Sequence, residues 1–134
     1  MRRAPHGLYI LLLAGTVPLF MAVVLADIAW FVSYEVQWKN FCSWLLIGGL
    51  LFCGLALLWE LIERIRFGWR EPRGIVVFCL LLVAWIVGFL DELVHARDAW
   101  ASMPTALVLS TIAAVLVLAA TWAGLARSFP GEQP

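Results

Sequence analysis

The chain has 134 residues, 64% of them hydrophobic and only 13% charged, with nine basic residues balancing nine acidic ones. A soluble domain of this size has too little interior to hide so much apolar surface, so a water-soluble fold is excluded. No compact basic stripe marks a nucleic-acid partner, and no Walker, GxSxG, HExxH or Gly-rich dinucleotide motif marks a familiar enzyme class.

Four apolar stretches follow one another: Leu8–Ala26, Phe41–Leu61, Gly74–Leu90 and Thr105–Leu125. Each can cross a hydrocarbon core of about 30 Å at about 1.5 Å per helical residue, and helices satisfy their own backbone in lipid. The expected fold is all-α: an integral membrane four-helix bundle forming one domain over 1–134. Its helices are predicted at about 8–32, 41–65, 74–97 and 104–126.

The first stretch follows Arg2 and Arg3, and the small residues of Ala22–Ala26 before Asp27 imitate a signal-peptide cleavage site. The apolar run exceeds a typical signal core, and Pro18 and Asp27 suit a bundle, so the helix is expected to be retained. The second carries Cys42, Gly49, Cys53, Ala56 and Glu60 at helical steps, a small-residue stripe that lets a neighbouring backbone approach in lipid. It continues through Glu60, Glu63, Arg64 and Arg66, whose i,i+4 and i,i+3 pairs read as solvated surface features. The third is the shortest and runs into a charged segment, Asp91–Trp100. Before the fourth, Ser102-Met103-Pro104 reads as a helix start, and Ser110, Ala113, Val117, Thr121 and Gly124 form a second stripe.

Basic residues set the orientation. Arg2, Arg3, Arg64, Arg66, Arg70, Arg73 and Arg127 fall on one side, leaving Lys39 and Arg97 on the other. The positive-inside rule then makes both termini cytoplasmic in a bacterial inner membrane. Asp27, Glu35, Asp91, Glu92, His95 and Asp98 share the outer side. Trp30, Trp38, Trp44 and Trp100 fall near the outer interface, and Trp59, Trp69 and Trp122 near the inner one; Trp85 alone lies deep.

The Asp91–Trp100 segment is the strongest candidate for function, because ionisable groups at membrane depth are costly. Asp91, His95 and Asp98 share a helix face, and Asp27 at the outer end of the first helix could converge on them. Asp91, Glu92 and His95 are the ligands expected if a metal is bound, although one histidine is a thin set. The bland alternative is a helix-end network in which Asp91 and His95 share a hydrogen bond. His95 beside carboxylates could also relay protons. His6 and His95 lie about a membrane apart and cannot share a haem, which leaves Met21 or Met103 as a second axial ligand. Tyr9 and Trp85 are the candidates for a quinone cleft. Cys42, Cys53 and Cys79 form no CxxC pair and read as inert packing residues.

The order of features resembles a bacterial inner-membrane family catalogued as domain of unknown function 2231. Leu25-Ala26-Asp27, Trp38, Trp44-Leu45-Leu46-Ile47-Gly48-Gly49 and Leu61-Ile62 carry the resemblance. So do His95-Ala96-Arg97-Asp98-Ala99-Trp100 and Pro104-Thr105-Ala106-Leu107-Val108-Leu109-Ser110. It spans about Leu8 to Gly124. It departs at Thr16-Val17-Pro18, where members often have His-Phe-Pro, and at Glu60-Leu61-Ile62-Glu63-Arg64, where they often have Gly-Leu-Ile-Asp-Phe. The resemblance implies a four-helix membrane protein, with some members looking like accessory partners of periplasmic redox enzymes.

Two functions are therefore expected in competition. The preferred one is a non-enzymatic accessory or scaffold subunit without a cofactor. It would dock a periplasmic or membrane protein at an outer rim formed by Asp27, Asp91, His95, Arg97, Asp98 and Trp100, with a homo-oligomer left open. The alternative is a redox or metal-binding protein using haem, quinone or a single ion at the Asp91-Glu92-His95-Asp98 cluster.

Overall fold

A computed structural model describes residues 7–96 and 105–128. Four helices account for nearly all of them: α1 (Gly7–Ser33), α2 (Val36–Phe67), α3 (Pro72–His95) and α4 (Thr105–Ser128). They contain 27, 32, 24 and 24 residues, hence about 36 to 48 Å each, enough to span a bilayer. Each is apolar enough to cross a membrane. Their outward faces carry Leu25, Leu51, Trp44 and Trp122, all exposed. In water that surface would be a liability; in lipid it is the solvent-facing side. The chain is a multi-pass membrane protein with an all-α four-helix bundle fold.

Short connections force antiparallel neighbours. α1 packs on α2 and α4, and α3 packs on the same two, closing a ring of four. Only Tyr34 and Glu35 separate α1 from α2. The reversal is made by Tyr34 in the left-handed region at φ 59°, an uncommon conformation for a non-glycine residue. α2 therefore begins at Val36, five residues before the expected 41, because a hydrogen-bonded backbone persists past the edge of the apolar run. It ends where Gly68, at φ 89°, donates its N–H to the Arg64 carbonyl at 2.8 Å. Pro72 then opens α3, at a position where its missing N–H has no helical partner to lose. The expected start signal at Ser102-Met103-Pro104 lies outside the described residues.

Both small-residue stripes face the interior. Cys42, Cys53, Ala56 and Glu60 of α2 are buried, as are Ser110, Ala113, Val117, Thr121 and Gly124 of α4. The centre is organised by Phe20, which is wholly buried. A Cβ at Gly49 would lie 2.9 Å from one edge of its ring, and one at Gly88 would lie 3.2 Å from another. Two glycines on separate helices thus make the slot that one aromatic ring fills. Trp85 donates its Nε1–H to the Leu50 carbonyl at 3.2 Å and stacks on Phe89. That gives the deep indole a partner, as buried Trp N–H groups usually require. Trp30, near the end of α1, is 2% exposed and packs inside the bundle.

Candidate functional site

Antiparallel packing brings the late residues of α1 and α3 to the same end as the early residues of α2 and α4. Four polar side chains, one from each helix, meet there: Asp27, Cys42, His95 and Ser110, none more than 1% exposed. Asp27 is the hub. Its Oδ1 lies 2.7 Å from His95 Nε2 and accepts the Cys42 thiol at 3.2 Å, while its Oδ2 accepts the Ser110 hydroxyl at 2.7 Å. The partners stand 68 and 83 residues away for His95 and Ser110.

His95 is held from behind as well. Its Nδ1 meets the Asp91 carbonyl one turn earlier at 2.8 Å. Asp91 Oδ1 lies 3.1 Å from the same nitrogen. Neither Asp91 carboxylate oxygen forms an aligned hydrogen bond, and Asp91 is wholly buried. Both ring nitrogens of His95 thus face acceptors, and an imidazole donates from both only as imidazolium. Lys39 of α2 adds a hydrogen bond from its ammonium to the carbonyl of His95, the last residue of α3. Glu92 is partly buried, and one of its oxygens is buried without a hydrogen-bond partner.

No protein-family model, curated protein or solved structure matches the chain. The chemistry must therefore be read from this geometry. Asp27, Cys42 and His95 each offer a ligand atom, all within 4.8 Å of one another.

Several expectations change. Asp27, Asp91 and His95 do come together, but as buried side chains inside the bundle and not exposed on a rim. A polar group near the end of one helix is drawn inward when the other three helices offer it partners, because an unpartnered one in an apolar setting costs more. Among the described residues, ligand atoms gather at Asp27, Cys42 and His95, a different group from the Asp91, Glu92 and His95 expected for a metal. His95 turns its Nε2 toward α1 and uses Nδ1 on its own helix. Arg97, Asp98 and Trp100 lie outside the described residues. Cys42, read as inert packing, is a member of the centre, and Ser110 is too. The available signal was the pair of buried stripes, each starting with a polar or sulfur-bearing residue at the same end of the bundle.

The other candidates separate. Tyr9 stacks on Trp59 at 5.7 Å, while Trp85 bonds the Leu50 carbonyl and packs beside Gly54 of α2. Met21, the possible haem partner of His95, is 41% exposed on the outer surface, and Met103 lies outside the described residues.

A second polar layer closes the opposite end. Tyr9 donates its hydroxyl to Glu60 Oε1, and Arg64 Nη2 lies 3.8 Å from Glu60 Oε2. Glu60 is wholly buried and Arg64 is 4% exposed. The Glu60–Arg64 pair is therefore a buried ion pair and not the solvated one its helical spacing suggested. Thr121 and Leu13 tie α4 to α1 beside it, through a hydroxyl to carbonyl bond of 3.4 Å.

Proposed function

We propose that the chain is a non-enzymatic accessory or scaffold subunit of a bacterial inner membrane, with both termini cytoplasmic and a partner protein docked at its periplasmic end. One observation carries this reading: the Asp27 hub bonds side chains from the other three helices, and Lys39 fastens the last carbonyl of α3. That lattice fixes the point from which the α3–α4 connection departs. The connection carries Arg97, Asp98 and Trp100, residue types suited to a protein interface, where Arg and Trp are enriched. A rigid base under a short charged connection is what a docking element needs, since less ordering entropy is then lost on binding. The seven-to-two split of basic residues between the two ends supports the orientation. The resemblance to domain of unknown function 2231 supports the same setting and brings no activity with it.

The test is a mild-detergent pull-down from native membranes, comparing wild type with Arg97→Ala, Trp100→Ala and, as control, Trp44→Ala on the lipid-facing surface. Loss of the co-isolated partner in the first two and retention in the control is expected. A protein that co-isolates with nothing, or a complex indifferent to both connection variants, rejects the reading. Orientation is checked by C-terminal fusions: a fluorescent protein should fold and alkaline phosphatase should stay inactive, and the reverse pattern would invert the topology.

A further inference from the structure

We infer that Asp27, Cys42 and His95 form a binding site for a single borderline-soft divalent transition-metal ion of the zinc class. The inference goes beyond the accessory reading and does not depend on it.

The donor set comes first. One carboxylate oxygen, one sulfur and one imidazole nitrogen suit zinc-like ions and do not suit magnesium or calcium, which take oxygen ligands. Three protein ligands with a fourth position left for water or another small ligand is the usual stoichiometry of an open tetrahedral site.

The spacing comes second. His95 Nε2 lies 2.7 Å and Cys42 Sγ 3.2 Å from the same Asp27 oxygen. A tetrahedral ion with usual Zn–N, Zn–O and Zn–S lengths separates such donors by about 3.4 Å (N to O) and about 3.6 Å (S to O). The three atoms need part by only about 0.7 Å and about 0.4 Å, displacements that side-chain rotation supplies. Here the donors are drawn together by two shared protons, in the place a cation would take.

The outer contacts come third. Metal-binding histidines almost always donate their second ring N–H to a carbonyl or carboxylate, and ligating carboxylates are themselves hydrogen-bonded. His95 Nδ1 meets the Asp91 carbonyl at 2.8 Å, and Asp27 Oδ2 accepts from Ser110 at 2.7 Å. Independently, the wholly buried Asp91 carboxylate lies 3.1 Å from Nδ1 with both oxygens lacking a hydrogen-bond partner. It stands directly behind the ligand imidazole as a second acceptor facing the Nδ1 proton.

The charge balance closes. On binding, the His95 Nε2 proton and the Cys42 thiol proton leave to water, the imidazole becomes neutral and the sulfur a thiolate. One divalent ion replaces two protons, so the net charge of the centre is unchanged and its apolar surroundings impose no new charge penalty.

The experiment uses the untagged full chain in detergent micelles, stripped with chelator, then given zinc or cobalt(II) and desalted. Wild type should retain about one ion per chain and release about two protons per ion into weak buffer. The cobalt form should show thiolate-to-cobalt charge-transfer absorption in the near ultraviolet. Cys42→Ser should lose that absorption, and His95→Gln should lower retained metal at least about tenfold. Cys53→Ser, with a buried thiol elsewhere, should keep both. Circular dichroism confirms that each variant remains helical; should one fail to fold, the wild-type stoichiometry, spectrum and proton count still decide. Wild type retaining no ion, charge-transfer absorption surviving in Cys42→Ser, or proton release near zero would overturn the site.

Discussion

Removing the Asp27 carboxylate is the sharpest test of how the bundle is held together. In Asp27→Ala three donors lose their acceptor, but they lose it unequally. Ser110 keeps the Leu107 carbonyl at 3.1 Å, and Cys42 keeps the Val23 carbonyl at 3.8 Å. His95 Nε2 is left facing the gap where an oxygen stood at 2.7 Å. Removing one member of a buried charged pair costs about 3–5 kcal/mol, because the survivor stays desolvated without compensation. His95 can shed its proton and keep the Asp91 carbonyl through Nδ1–H, which places the expected loss at about 3 kcal/mol. Asp27→Asn should cost only about 1 kcal/mol. Its amide oxygen still accepts from Ser110 or Cys42, and its N–H can donate to a neutral Nε2. In the double variant with His95→Ala the orphaned ring is gone, so the two single losses should overshoot the double by about 2–3 kcal/mol. Unfolding in mixed micelles with rising dodecyl sulfate, followed by far-ultraviolet circular dichroism, measures all four corners of the cycle. Coupling within about 0.5 kcal/mol of zero, or an alanine variant no weaker than the asparagine one, would refute the hub role of Asp27.

Five other outcomes follow from the same packing. Glu60→Ala should destabilise by about 3–5 kcal/mol, since Arg64 already has Nε and Nη1 buried without partners; Tyr9→Phe, which removes one donor from Glu60, should cost about 1–3 kcal/mol in the same titration. Phe20→Ala should lose about 3–5 kcal/mol by emptying the slot between Gly49 and Gly88. Gly49→Val should lose about 1–3 kcal/mol by overpacking, because its Cβ would stand 2.9 Å from a ring with little room to retreat. Gly124→Ala should be milder than Gly49→Ala, since the nearest obstacle is the flexible tip of Leu13 at 2.8 Å.

Helix number, approximate span and lipid setting were legible in the sequence, because apolar length and backbone satisfaction are local requirements that lipid imposes on each segment separately. The inward faces of α2 and α4 were legible for the same reason: Cys42 to Glu60 and Ser110 to Gly124 repeat at the helical period, which is a property of one helix. The end of each helix was less so. Tyr34 in a left-handed conformation lets α2 start at Val36, which no hydropathy pattern marks.

What the tertiary structure alone decided is which polar residues meet. Glu60 and Arg64 look like a surface pair by spacing, yet Tyr9 of α1 and the closure of the ring bury them. Asp91 and His95 look like a rim pair, yet His95 reaches Asp27 across the bundle, with Cys42 and Ser110 joining from the remaining helices. Periodicity assigns a residue to a face of its own helix but is silent on the register between helices 68 or 83 residues apart in sequence. That register follows from interlocking contacts, such as Phe20 between two glycines, and from the cost of leaving polar groups unpaired in an apolar medium. The sequence by itself determined a four-helix membrane protein with charge gathered at its ends. Tertiary packing turned part of that charge into a closed centre of Asp27, Cys42, His95 and Ser110 inside the bundle.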